Sequence, residues 1–210
     1  MNKKIVGIDF FRELYFIRRA EEIIALEYRN GTMKTPTHFG IGQEACAVGV
    51  CQAIDKKDVV FTHHRSHTHY LAKGGNLFRL MAELLGRIDG CSLGRGGSVH
   101  IIEKKKNFFG SSPILGHAQA LCVGAALAFK LKNEKKIAVS FFGEGSFDEG
   151  SVWESINYAA VNGLPSLFVC ENNLYATESP LSVRTPKNTT FIKKVESFSV
   201  KVFDCDGNDV

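Results

Sequence analysis

Two short apolar runs without a charged residue, at 137–142 and 166–170, flank a longer segment at 148–162 whose apolar residues recur at helical spacing. The runs read as buried strands and the segment between them as a helix. Strand, helix, strand in that order is a right-handed crossover unit, which requires a parallel sheet with helices on both faces. The predicted fold class is therefore α/β.

The rest of the chain supplies helices and loops around that unit. At 10–29 the residues Phe10, Phe11, Leu14, Ile17, Ile24 and Tyr28 predict a long amphipathic helix, closed by Asn30-Gly31. A small-residue helix is expected at 43–54, a short strand at 58–62 and an amphipathic helix at 76–85. Segment 86–97 holds five glycines and predicts an ordered functional loop rather than a regular element. At 118–131 the Ala and Gly content predicts a helix against which another backbone packs closely. We expect a helical arm over 1–35 and one main domain over 36–210.

Composition narrows the functional classes. The chain is 44% hydrophobic and 23% charged, and 26 basic against 22 acidic residues give a net charge of +4 spread along its length. A solvated surface accounts for that better than nucleic acid. The six cysteines lie apart without a CxxC pair, several of them inside apolar runs where they would serve as small core residues, and read as reduced thiols. No run approaches the ~20 apolar residues of a membrane helix. A cytoplasmic protein without membrane or nucleic-acid partners is expected.

The candidate chemistry lies where the two buried strands end. The first is followed by Gly143-Glu144-Gly145 and the second by Glu171-Asn172-Asn173. Parallel strands open on the same edge, so Glu144 and Asn173 are expected to converge although 28 residues lie between them. Gly143 and Gly145 would let backbone approach a bulky ligand, and the following helix would point its positive end at it. A carboxylate and an amide oxygen are hard ligands suited to magnesium, which shares its coordination with phosphates. His63 and His67 also have HxxxH spacing, but a zinc site needs further ligands on a regular helix, and the strand expected at 58–62 argues against one.

Between Gly145 and Asn172 lie 26 residues, and this resembles the thiamine diphosphate motif GDG, spacer, NN. The stretch FFGEGSFDEGSVWESINYAAVNGLPSLFVCENNLYA is similar to alpha subunits of the 2-oxo acid dehydrogenases acting on pyruvate, branched-chain acids and acetoin. HFGIGQEACAVGV, FTHHRSHTHYLAKG, LMAELLGR, GCSLGRGGSVH, SSPILGHAQALCVGAALA and FDCDGNDV resemble further blocks in the family's order.

The resemblance implies a thiamine diphosphate-binding fold, a parallel sheet flanked by helices, and an oxidoreductase that decarboxylates a 2-oxo acid and passes the acyl group to lipoamide. It implies Glu144, Asn173 and the carbonyl of Tyr175 as Mg2+ ligands, with the amides of Gly145 and Ser146 facing the diphosphate. Arg65 would bind the diphosphate, with His64 where the family usually has tyrosine. His38 would face the reacting carbon, and Pro113 and Leu115 would cradle the aminopyrimidine. Gly116 and His117 stand where branched-chain members carry a potassium-binding Thr-Gln pair. An activating glutamate would come from a beta subunit in an alpha2 beta2 heterotetramer docked on a lipoyl acyltransferase core. The family continues past the last block to an HGHS-like segment, so a chain cut short at its C-terminus is expected. Acetoin as substrate, and an inert or binding-only subunit, are the alternatives.

Overall fold

The computed structural model describes residues 3–210. In chain order its elements are α1 (Lys3–Arg29), α2 (Glu44–Ala53), β1 (Val59–His63), α3 (His67–Ala72), α4 (Leu77–Leu84), β2 (Phe108–Ser112), α5 (His117–Leu131), β3 (Ala138–Gly143), α6 (Gly150–Val161), β4 (Ser166–Glu171), β5 (Tyr175–Ala176), β6 (Ser179–Pro180), α7 (Leu181–Arg184) and α8 (Phe191–Glu196). They form two compact units, one holding the chain up to Lys57, His64–Pro113 and Asp206–Val210, the other Asp58–His63 and Ile114–Cys205.

The second unit contains the expected crossover. β1, β3 and β4 run parallel in that order, with Val60 opposite Val139 and Phe141 opposite Val169. β1 is buried throughout and β3 as far as Phe142, which is why 137–142 reads as a continuous apolar run; β4, expected to be buried as well, is only half-buried, with Leu167 and Cys170 exposed. The buried carboxylate of Asp58 sets the start of β1 by accepting from the Ile137 amide at 2.9 Å.

α5 packs against the strands and α6 through a stripe of Ala118, Cys122 and Ala126. That four-residue spacing keeps small side chains on one face. The helix's glycine takes no part in that packing. Gly124 is exposed and a Cβ there would meet nothing within 4 Å. It stands two residues from both Cys122 and Ala126, about 200° around the helix from the packed face.

A second cluster collects Phe142, Phe147, Val152 and Ile156, with Trp153, Phe191, Val195 and Phe198 against it. Phe147 stacks on Phe191 at 4.5 Å and on Trp153 at 4.8 Å between ring centroids. Trp153 Nε1 also donates to the Phe147 carbonyl at 2.8 Å. The predicted helix at 148–162 begins later, at Gly150, because Glu144–Asp148 forms a 3-10 turn first.

In the first unit α1, α2 and α3 pack together. Ile17, Ala20, Glu21 and Ile24 are buried, so the amphipathic reading of α1 holds for that stripe, while Phe11, Tyr15, Ile23 and Leu26 stay exposed. Arg18 grips Glu44 with two hydrogen bonds of 2.6 and 2.9 Å. The fully buried Glu21 accepts from the Gly40 amide at 2.7 Å and pairs with His67 Nδ1 at 2.7 Å. The helix α3 was not legible in its histidine-rich sequence. Among the described residues no helix is long and apolar enough to cross a membrane.

Segment 86–97 is ordered around one side chain. Glu83 of α4 is fully buried and accepts from the amides of Ser92, Gly94, Gly96 and Gly97 at 2.7, 2.9, 2.7 and 3.2 Å. The glycines follow from that wrap. Gly94 and Gly97 take φ of 72° and 57°, and a Cβ on Gly90 would run into the Glu83 carboxylate.

Candidate functional site

Gly143 and Glu171 are the last paired residues of β3 and β4. The register therefore sets Glu144 and Asn172 just beyond adjacent strand ends, with Asn173 one residue further. After Glu171 the chain turns on its asparagines. Asn172 Oδ1 accepts from the Leu174 amide at 3.1 Å and Asn173 Oδ1 from the Tyr175 amide at 2.9 Å. Leu174 takes a φ of 71° to make that turn. A carbonyl oxygen has two lone pairs, so Asn173 Oδ1 retains one for a further interaction.

Glu144 opens the 3-10 turn and is 1% exposed. A carboxylate buried to that degree needs a cation or several donors. Here the cation is Arg184 of α7, whose Nη2 pairs with Glu144 while Nη1 donates to Asp148 Oδ2 at 2.8 Å. Burial alone would disfavour the guanidinium charge, but the bonds to Asp148 and Glu144 outweigh it and hold Arg184 above its ordinary pKa. Nothing in the sequence between Glu144 and Arg184 signals this pair, which comes from the fold.

The two glycines of the first motif differ. A Cβ on Gly145 would stand 2.7 Å from the Cβ of Ala176, so glycine is required there by the β5–β6 hairpin. At Gly143 nothing lies within 4 Å. Ser146 is buried in the 3-10 turn, whose opening amides lack partners within the turn by construction. Leu115 is half-buried just ahead of Gly116, which caps α5 with a φ of 79°.

The remaining candidates lie in the first unit. The rings of His38 and His64 meet edge to face at 4.6 Å, and Arg65 Nη1 donates to the Phe39 carbonyl at 2.7 Å. His38 is held below its ordinary pKa by loss of surrounding water, by the Arg65 cation and by His67. His38 remains exposed by area, but all three causes push the same way. This cluster offers a neutral imidazole beside fixed positive charge, suited to an anionic ligand. Pro113 is exposed just after β2.

The HxxxH pair does not make a zinc site. Both nitrogens of His67 are engaged, Nδ1 by Glu21 and Nε2 by Ser98 Oγ at 2.8 Å. His63 pairs with Glu171 at 2.6 Å, another contact between strand ends that sequence reading missed.

The donors fit a hard divalent cation. Glu144 supplies charge at a position that already holds a cationic side chain, and Asn173 and the Tyr175 carbonyl supply neutral oxygen. Of the cysteines, Cys91 and Cys122 are buried, whereas Cys170 and Cys205 are exposed. Cys122 is fully buried and its thiol is pushed up to about 12, so it serves as a small core residue.

The family model described as dehydrogenase E1 component matches residues 12–210. The pyruvate dehydrogenase E1 component subunit alpha of Rhizobium meliloti (strain 1021) is 38% identical over 95% of this chain and 57% of its own length. A Zymomonas mobilis protein of the same name is 38% identical over 97% of this chain and 57% of its own. The mitochondrial counterpart of Solanum tuberosum is 37% identical over 97% of this chain and 51% of its own. The chain thus spans somewhat more than half the length of these relatives.

Proposed function

Because this chain belongs to the dehydrogenase E1 component family, we propose that it is the diphosphate- and metal-holding part of the alpha subunit of a thiamine diphosphate-dependent pyruvate dehydrogenase. The observation that carries the reading is the register of β3 and β4, which brings the GEG and ENN motifs to one edge. Pyruvate is favoured as the 2-oxo acid by the names of the relatives.

In this reading Glu144, Asn173 and the Tyr175 carbonyl hold Mg2+, and the amides of Gly145 and Ser146 face the diphosphate. When bound, thiamine diphosphate supplies the carbanion chemistry that releases carbon dioxide from a 2-oxo acid. The chain's own residues position and hold charge. Arg65 and His64 donate to phosphate oxygens, and Pro113 and Leu115 hold the aminopyrimidine by backbone groups. His38 stays neutral at physiological pH and donates or accepts a proton at the substrate. The glutamate that activates the cofactor belongs to a beta subunit. The acyl group then passes to a lipoyl-bearing acyltransferase core. The apolar residues that α1 leaves exposed, Phe11 and Tyr15 among them, suit an alpha2 beta2 assembly. A cytoplasmic location accords with reduced thiols.

Calorimetric titration with thiamine diphosphate and Mg2+ tests the reading, comparing the chain with Glu144→Ala. The variant should lose metal-dependent binding at least tenfold, about 1.4 kcal/mol. Unchanged affinity would remove Glu144 from the site and the reading with it.

A further inference from the structure

We propose that Arg184 is an internal counter-ion, which neutralises Glu144 in the metal-free chain and yields that carboxylate to the cation on loading. The inference rests on the reading of Glu144 as a metal ligand and adds how the empty site is kept intact and what moves when it fills.

The guanidinium fork of Arg184 spans two carboxylates of different character. Nη2 pairs with Glu144, which is 1% exposed, and Nη1 with Asp148, whose side chain is 43% exposed. Glu144 cannot be left alone in that burial, so it needs a positive partner whether or not a metal is present. Nη2 takes only the Oε1 oxygen of Glu144, so a divalent cation that binds the carboxylate by either oxygen sets a second positive charge within a few ångströms of the guanidinium, and that repulsion favours release of Nη2. Asp148 gives the displaced arginine a place to stay, because the bond to it already exists and does not involve Glu144.

Arg184 also lies on a segment that touches the site elsewhere. α7 follows the β5–β6 hairpin directly and is tied back by the Leu181 amide to the Leu174 carbonyl at 2.7 Å. The hairpin meets the 3-10 turn through Ala176 against Gly145, a neutral contact that a cation does not disturb. One contact is thus a fixed pivot of packed atoms. The other is an ion pair that exchanges, so loading the metal loosens α7 about Ala176. Tyr175, a ligand by its carbonyl, sits on the same hairpin and is joined to this exchange.

The test is titration of the full chain with Mn2+ in the presence of thiamine diphosphate, with free Mn2+ counted by electron paramagnetic resonance. Arg184→Gln should lower the melting temperature of the metal-free chain and bind Mn2+ at least threefold more tightly, since no side chain competes. Arg184→Lys, which keeps the charge, should bind close to the parent. In the parent chain, saturation with Mn2+ should speed hydrogen exchange at the Leu181 and Thr185 amides. Equal or weaker Mn2+ binding by Arg184→Gln, with binding abolished in Glu144→Gln, would overturn the counter-ion role and leave the metal site standing. Mn2+ binding unaffected by Glu144→Gln would overturn both. Should Arg184→Gln fail to fold, unchanged exchange at Leu181 and Thr185 on loading of the parent would by itself overturn the proposal.

Discussion

Gly143 and Glu171 face each other as the last paired residues of β3 and β4, so each motif that follows begins at the same level of the sheet. A shift of register by two residues would leave both strands apolar and the core almost as well filled, yet would part Glu144 from Asn173 by roughly two residues of strand rise, about 6–7 Å. The candidate site depends on this alignment more than on any one ligand.

Phe147 fixes the 3-10 turn that starts at Glu144, through stacking on Phe191 and Trp153. Phe147→Ala should destabilise the chain by about 3–5 kcal/mol in urea unfolding, the usual cost of emptying a large aromatic site. Phe147→Leu should cost less and keep the turn.

Gly145 has no room for a methyl group beside Ala176. Gly145→Ala should lower stability by about 1–3 kcal/mol through overpacking. Adding Ala176→Gly should restore most of that loss, and a double-mutant cycle by thermal unfolding reads the coupling. Purely additive effects would show that the two sites do not meet.

Glu83 holds four loop amides with its two carboxylate oxygens. Glu83→Gln turns one acceptor into a donor that faces donors, and should cost about 2 kcal/mol or more. Hydrogen exchange should lose protection at Ser92, Gly94, Gly96 and Gly97, while the strands keep theirs.

His38 should titrate below 6.5 when followed by its ring proton resonances in NMR spectra, because desolvation and the Arg65 cation disfavour its charged form. Arg65→Gln should raise the midpoint only partly, since desolvation is the larger cause. The sign for stability follows from the depressed value. Between the folded pKa and 6.5 the unfolded chain binds more protons, so His38 contributes stability fully above 6.5 and loses it as pH falls through its folded pKa. A midpoint at or above 6.5 would contradict the placement of His38 beside Arg65.

Much of the fold was legible because local patterns carried it. Burial on both faces demands an unbroken apolar run, and 137–142 showed it; 166–170 read the same way although β4 is only half-buried. Helical spacing marked α1, α4 and α6 to within a few residues, apart from the early start of α1 at Lys3 and the 3-10 turn ahead of α6. The elements missed are short and take their stability from tertiary contacts: α3, β2 and the hairpin, α7 and α8 after Asn173. A single helical turn such as α7 has no period to detect.

The same division runs through the site. Sequence by itself determined the two motifs, their spacing and the hard-oxygen chemistry of Glu144 and Asn173, because strand polarity and ligand type are local properties. Only the tertiary structure decided the partners of buried charge: Arg184 on Glu144, Glu21 on His67, and the loop amides on Glu83. A carboxylate removed from water must be neutralised or hydrogen-bonded, but its own sequence neighbourhood says nothing of which distant group will do so. That choice is made when the chain packs, by which side chains arrive at the same buried place.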